Sequence, residues 1–241
     1  MRIMTNELGF LIGDFLLPYY GLMIGVGALV AVAIGYFLVN RHGKNKDIFI
    51  ILVTSGVLGG FAGAKILYII TDWKNVLVSD FSEIMQSGFV FYGGILGALL
   101  VLWLIHHLTR IDVLSYVQIC ISCVPIAHGF GRIGCHLVGC CYGVDYNGGL
   151  FPVQLTEAVL LFVLGIDLII YVWKRERPKH TLSIYLGTYS VLRFCLEFLR
   201  GDDAERKIYG VFSTSQWISL AVLSGIIICS IWKHNKKQSA L

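Results

Sequence analysis

The sequence predicts an all-α fold: a polytopic membrane protein built as a bundle of seven transmembrane helices. Three observations carry this expectation. Hydrophobic side chains make up 56% of the 241 residues and charged ones only 14%, where a soluble domain carries about a quarter charged. A helix crosses a bilayer in about 20 mostly apolar residues, and seven stretches have that character: 15–39, 48–70, 89–108, 112–129, 152–173, 181–199 and 211–232. The basic residues gather in short connections between alternate pairs of these stretches and in the tail.

Arg41, Lys44 and Lys46 follow the first stretch, Arg110 the third, Lys174, Arg175, Arg177 and Lys179 the fifth, and Lys233, Lys236 and Lys237 the seventh. Short basic loops stay in the cytoplasm, so the expected topology has the N-terminus outside and the C-terminus in the cytoplasm. The outer side then receives the segment 71–88 with Asp72, Asp80 and Glu83, the segment 130–150 and the loop 200–210. Loose alternation of apolar and polar residues in 71–88 suggests a short interfacial helix. With no Pro/Ser-rich linker, charge block or repeat, the chain is expected to be a single integral-membrane domain over 1–241. The formal charge of +4 reads as topology and not as a nucleic-acid surface. No small-residue cleavage pattern follows Met1–Asp14, so no cleaved signal peptide is expected.

Glycines recur within the second and third stretches, as Gly56, Gly59, Gly60 and Gly63 and as Gly93, Gly94 and Gly97. Small residues at such spacing let helix backbones approach closely, so their ordinary role is packing. Tyr20 opens the first stretch and Tyr92 the third, at the depth where aromatic residues anchor helices at the interface. Lys65 can snorkel outward or complement a phosphate.

The densest polar chemistry lies in His128-Gly129-Phe130-Gly131-Arg132-Ile133-Gly134-Cys135-His136-Leu137-Val138-Gly139-Cys140-Cys141-Tyr142-Gly143. An ionisable group beside hydrocarbon is costly and marks a functional site by default. Arg132 is expected to open the outer loop after the fourth stretch, where Gly131 and Gly134 let the backbone turn and approach a ligand. Gln154 and Glu157 begin the fifth stretch and Ser213-Thr214-Ser215-Gln216 the seventh; such polar starts also serve as helix caps. Arg193, Glu197 and Arg200 fall at i, i+4 and i+7 on one helical face. They form either an intrabundle ion pair with a snorkelling arginine or an anion site, since a guanidinium fork matches phosphate oxygens and keeps its charge when desolvated.

These pieces, in this order from Tyr20 to Gln216, resemble the bacterial prolipoprotein diacylglyceryl transferase family. The similarity rests on Tyr20-Gly21, on Gly63-Ala64-Lys65 where an arginine is commoner, and on Tyr92-Gly93-Gly94 where relatives carry histidine or tyrosine. It continues through Gly131-Arg132-Ile133-Gly134, Pro152 to Glu157, and Arg193-x-x-x-Glu197-x-x-Arg200. Two polar family positions are thiols here: Cys135 stands at an asparagine position and Cys140 where an acid is expected, while Gly143 keeps the closing glycine. The resemblance implies a multi-pass enzyme of the bacterial inner membrane. Its expected reaction moves the diacylglyceryl group of phosphatidylglycerol to the lipobox cysteine of a preprolipoprotein and releases glycerol phosphate. The partners are therefore phosphatidylglycerol, the lipobox peptide and the bilayer, with no nucleic acid.

On this reading Arg132, Arg193, Glu197 and Tyr92 are the catalytic candidates. Substrate binding falls to Arg132, Arg200, Tyr20, Gly93, Gly94, Gly134, Gly143, Gln154 and Glu157. Arg132 and Arg193 would hold the lipid phosphate, Arg200 would assist at the rim, Glu197 would orient Arg193, and Tyr20 and Tyr92 would line the headgroup pocket. The base is open between His128, His136, an arginine environment and water. No metal or organic cofactor is called for. The seven cysteines (120, 123, 135, 140, 141, 195 and 229) have no disulfide-framework spacing. Cys135, Cys140 and Cys141 fit small packed residues or a local disulfide, and alternatively a metal, redox or catalytic role. The competing functions are a family paralogue with a different acceptor and a membrane thiol or metal redox protein using those three cysteines.

Overall fold

The computed structural model describes residues 3–5, 9–12, 15–78, 80, 84, 88–202 and 208–238. Seven helices among them are long and apolar enough to cross a membrane: Tyr19–Arg41, Lys46–Thr71, Phe91–Thr109, Val113–Leu137, Val153–Lys174, Thr181–Leu199 and Thr214–Lys233. They are called the first to seventh spans below. Six of them lie close to the apolar stretches in the sequence, and the fourth runs on well past position 129. Glu83 lies outside the described residues; among the described residues of the segment 71–88, Trp73–Val76 forms a short helical turn.

Short strands accompany the helices. Asp145–Tyr146 pairs with Gly149–Leu150 across Asn147 and Gly148, both at positive φ (51° and 81°), the backbone that an Asn-Gly hairpin turn requires. Ile208–Tyr209 pairs with Phe212–Ser213, and near the amino end Gly9–Ile12 lies between Ile3–Thr5 and Phe15–Pro18. Residues 15–18 are thus strand, and the first span begins only after Pro18, whose ring nitrogen carries no N–H to donate.

The chain forms two compact units, Val39–Val117 and the remainder, Met1–Leu38 with Gln118–Leu241. Within Val39–Val117, Asn45 caps the second span by accepting from the Asp47 and Ile48 amides at 2.7 and 3.3 Å, leaving fewer orphan donors at the helix start. The second and third spans then meet backbone to backbone. A Cβ on Gly63 would collide with the Gly93 carbonyl oxygen, one on Gly93 with the Gly63 carbonyl, and one on Gly97 with the Gly59 carbonyl. Glycine is what allows this approach, as the packing reading expects.

In the larger unit the fourth span breaks and restarts. Its helix Val113–Cys120 tightens into a 3-10 turn at Ile121–Cys123, and a second helix runs Val124–Leu137 with Pro125 in its first turn, where a missing N–H costs nothing. This corrects the expectation that Arg132 opens a loop: Arg132, Gly131 and Gly134 all lie within the helix. Gly134 serves packing, since a Cβ there would stand 3.2 Å from the Tyr20 Cα. The seventh span starts with a reciprocal cap, the Ser213 amide donating to Gln216 Oε1 at 3.0 Å and the Gln216 amide to Ser213 Oγ at 3.3 Å. The fifth span has no side-chain cap, so Gln154 and Glu157 are available for other contacts.

Candidate active site

Helical spacing aligns the polar groups of the larger unit. His128 and Arg132 are four residues apart on the restarted helix, and Tyr189, Arg193 and Glu197 continue at the same interval along the sixth span, so each set lies on one face. Between them comes Glu157, one turn into the fifth span. Arg132 Nε lies 3.1 Å from Glu157 Oε2 and Arg193 Nη1 lies 3.6 Å from the same oxygen. Tyr189 donates its hydroxyl to Glu157 Oε1 at 3.5 Å, and His128 Nε2 stands 4.0 Å from that atom. One carboxylate thus joins side chains from three spans.

The charges continue outward. Arg193 Nη2 lies 2.8 Å from Glu197 Oε2 and donates to Ser215 Oγ at 3.1 Å. At Glu197–Leu199 the sixth span tightens to a 3-10 turn, which leaves Arg200 Nη1 4.0 Å from the same Glu197 oxygen. Arg200 then forks onto Asp202, Nε donating to Oδ1 at 2.8 Å and Nη2 to Oδ2. The order is Arg132, Glu157, Arg193, Glu197, Arg200, Asp202, with alternating sign. Glu157, Glu197 and Asp202 are 3%, 0% and 3% exposed; carboxylates so buried persist as ions only when paired. Both sequence readings of the arginine–glutamate triad are compatible with this arrangement: the Arg193–Glu197 ion pair is present, and a guanidinium carries five N–H donors, more than one carboxylate can engage.

The loop that follows the restarted helix, residues 138–144 and called the signature loop below, is fastened to the same end. Gly143 bridges Arg200 in antiparallel fashion, the Val144 amide donates to the Leu199 carbonyl at 3.0 Å, and the Gly201 amide donates to the Tyr142 carbonyl at 3.0 Å. A Cβ on Gly143 would collide with the Phe151 carbonyl oxygen, so only glycine passes here. Gln154 donates its amide to the Cys140 carbonyl at 2.9 Å. Tyr20 packs beside Gly134.

Tyr92, Gly93 and Gly94 belong to the other unit, where the glycines face the second span and the Tyr92 ring stands edge-on to Phe91. Lys65 lies there too, its ammonium 5.2 Å and 4.7 Å from the centres of the Tyr68 and Phe89 rings, a cation–π setting that supports a charge near hydrocarbon. Of the two candidate histidines, His128 borders Glu157 and His136 is exposed.

Three participants escaped the sequence reading: Tyr189, Asp202 and Ser215. Tyr189 carried a usable signal, being four residues before Arg193. Asp202 lay two residues beyond a triad that was read by helical spacing, and the chain is no longer helical there. Ser215 was read only as part of a cap.

The three loop cysteines converge. The Sγ atoms of Cys135, Cys140 and Cys141 all lie within 4.8 Å of one another, and none is in a disulfide. Hydrogen bonding from the Cys135 thiol, reinforced by the positive charge of Arg200 and Arg132, holds Cys141 down at about 6, below the ordinary thiol range. Burial and the neighbouring Cys141 sulfur push the Cys140 thiol up.

Comparison with known proteins decides the lineage of this arrangement. The family profile described as prolipoprotein diacylglyceryl transferase matches residues 8–232. The chain belongs to the prolipoprotein diacylglyceryl transferase family. It is 36% identical to phosphatidylglycerol–prolipoprotein diacylglyceryl transferase 2 of Clostridium perfringens, over 95% of this chain and 94% of the relative. It is also 36% identical to the Clostridium tetani enzyme of that name, over 90% of this chain and 94% of the relative. The Lactobacillus delbrueckii subsp. bulgaricus enzyme is more distant, at 26% over 98% and 94%. The resemblance read from the ordered motifs is therefore correct, and it extends to this multi-pass membrane chain as a whole.

Proposed function

We propose that this family member transfers the diacylglyceryl group of phosphatidylglycerol to the lipobox cysteine of a prolipoprotein. The sulfur attacks the glyceryl carbon that carries the phosphate ester, the carbon–oxygen bond breaks toward the phosphate, and glycerol phosphate leaves. A thioether forms and the thiol proton is lost. The observation that carries this reading is the meeting of Arg132 and Arg193, from two different spans, at the single buried carboxylate of Glu157.

Each arginine is steered by a carboxylate and offers its remaining N–H groups to an anion. Such preorganised donors act most strongly on charge that develops as the leaving phosphate forms, and a water-poor site magnifies them. Arg132 and Arg193 hold the phosphate. Arg200, anchored by Asp202 and tied to Gly143, assists at the rim, and Glu197 orients Arg193. Because both substrates are anchored in the membrane, holding them side by side removes much of the entropic barrier. Gln154 fixes the Cys140 carbonyl, and with it the signature loop that borders this end. Tyr20, which packs beside Gly134, contacts the lipid headgroup.

The basic connections support placing the arginine end of the larger unit on the outer face of the bacterial inner membrane, with the N-terminus outside and the C-terminus in the cytoplasm. The chain is read as one integral-membrane domain over 1–241. Mass spectrometry of a lipobox peptide incubated with the purified protein and phosphatidylglycerol tests the reading. A diacylglyceryl adduct on the cysteine is expected; an unmodified peptide contradicts it.

A further inference from the structure

Cys135, Cys140 and Cys141 are brought together by a specific backbone path. The restarted helix ends at Leu137, Gly139 turns at φ 73°, and the Cys140 amide donates back to the Cys135 carbonyl at 3.1 Å. Cys141 then adopts φ 57°, a left-handed conformation that costs a residue with a Cβ about 1 kcal/mol or more and persists only where the surroundings enforce it. Filling space does not require that conformation. What it achieves is to bring a third sulfur to the other two, within 4.8 Å.

That spacing suits a metal. With metal–sulfur bonds of about 2.3 Å, trigonal or tetrahedral coordination needs its sulfurs about 3.8–4.0 Å apart, within rotamer adjustment of the observed cluster. Three thiolates select a soft ion with a filled d shell over magnesium or calcium. Among the described residues no fourth His, Cys, Asp or Glu joins the group. Three protein ligands and an exchangeable fourth position is the pattern of catalytic zinc, while structural zinc is closed by four. The Gln154 amide that holds the Cys140 carbonyl at 2.9 Å fixes the loop behind the sulfurs, the outer support that such sites need. A zinc tris-thiolate carries one net negative charge, and Arg132 and Arg200 are the charged groups whose field reaches Cys141.

We infer that Cys135, Cys140 and Cys141 bind a thiophilic ion of the zinc type, and that its fourth position takes the sulfur of the acceptor cysteine. The second half rests on the transferase reading. A metal-bound hydroxide takes the proton of the incoming thiol and departs as water, leaving a metal-bound thiolate. That sulfur would attack the glyceryl carbon, the electron pair of the broken carbon–oxygen bond would go to the phosphate, and the resulting thioether, a far weaker ligand, would give way to a water that loses one proton to solvent and so restores the hydroxide. This would supply thiol activation at the loop itself, an alternative to His128, the candidate base beside Glu157.

The test begins with reduced full-length protein in detergent, stripped with chelator and reloaded with zinc or cobalt. One metal per chain is expected, with a thiolate-to-cobalt charge-transfer band that is lost in Cys135→Ser and Cys141→Ser. A lipobox peptide should shift that band, and the same peptide with serine in place of its cysteine should not. Stripping should slow diacylglyceryl transfer at least tenfold and zinc should restore it. Failure to bind either metal with all three thiols free, or full transfer by the stripped protein, overturns the inference and leaves the transferase reading intact. A cobalt band that ignores the peptide overturns the fourth-position assignment. Stoichiometric metal with no adduct under any condition would instead refute the transferase reading.

Discussion

In Val39–Val117 two helices touch through Gly59, Gly63, Gly93 and Gly97, whereas in the larger unit Arg132, Glu157, Arg193, Glu197 and Arg200 link helices through alternating charge. Both devices hold helices together where lipid is as apolar as leucine and the hydrophobic effect gives little drive. They differ in what they leave for chemistry. Glycine contact consumes the surface it joins. A guanidinium bound on one edge by a carboxylate still presents other N–H groups, so the charged device fastens the fold and can also receive an anion.

The sharpest way to break this contrast is to remove a guanidinium. Arg132→Ala or Arg193→Ala should lower the transfer rate by about 100-fold or more, the scale for losing a preorganised donor to developing negative charge, measured as adduct mass per unit time on protein that still inserts. Arg132→Lys should recover only part of the loss, since a point charge lacks the fork. Removing the carboxylate separates fold from chemistry. Glu157→Ala strands two buried cations and should cost about 3–5 kcal/mol, read from denaturant unfolding in detergent, with Glu157→Gln milder.

The glycine side predicts smaller effects that depend on position. Gly63→Ala drives a methyl into the Gly93 carbonyl and should lower stability by about 1–3 kcal/mol, as overpacking does. Gly131→Ala meets nothing within 4 Å and, being helical, should be neutral or stabilising by up to about 1 kcal/mol. Thermal melts of the two variants check this, and equal destabilisation by both would erase the distinction. The smallest effect concerns the thiols of metal-free protein. Cys141 is held at about 6 and Cys140 is pushed up, so iodoacetamide should label Cys141 well at neutral pH and progressively less as pH falls through 6. Cys140 should label only on the alkaline side. Peptide mass mapping across pH reads both.

Much of this was legible in the sequence because apolar length and loop charge are local properties. Six spans and the partnership of Arg193 with Glu197 depend only on residue counts and helical spacing. The fourth span ends too early in the sequence reading because Gly131 and Gly134 suggest a turning loop around Arg132, although Gly134 admits Tyr20 against a continuous helix. The short Asp145–Leu150 hairpin was announced by Asn147-Gly148 and went unread. Glu157 as the meeting point of two arginines was not legible, since it depends on how three spans pack. The convergence of Cys135 with Cys140 and Cys141 was equally hidden, because it follows from left-handed turns at Gly139 and Cys141 and not from any familiar spacing.

Whether the guanidiniums around Glu157 receive the lipid phosphate is tested most directly, and without any turnover, by lipid retention measured by native mass spectrometry. Wild-type protein should retain phosphatidylglycerol in preference to diacylglycerol, which lacks the phosphate, and the Arg132→Ala, Arg193→Ala double variant should remain folded and lose that preference. An unchanged preference in the folded double variant would contradict the account.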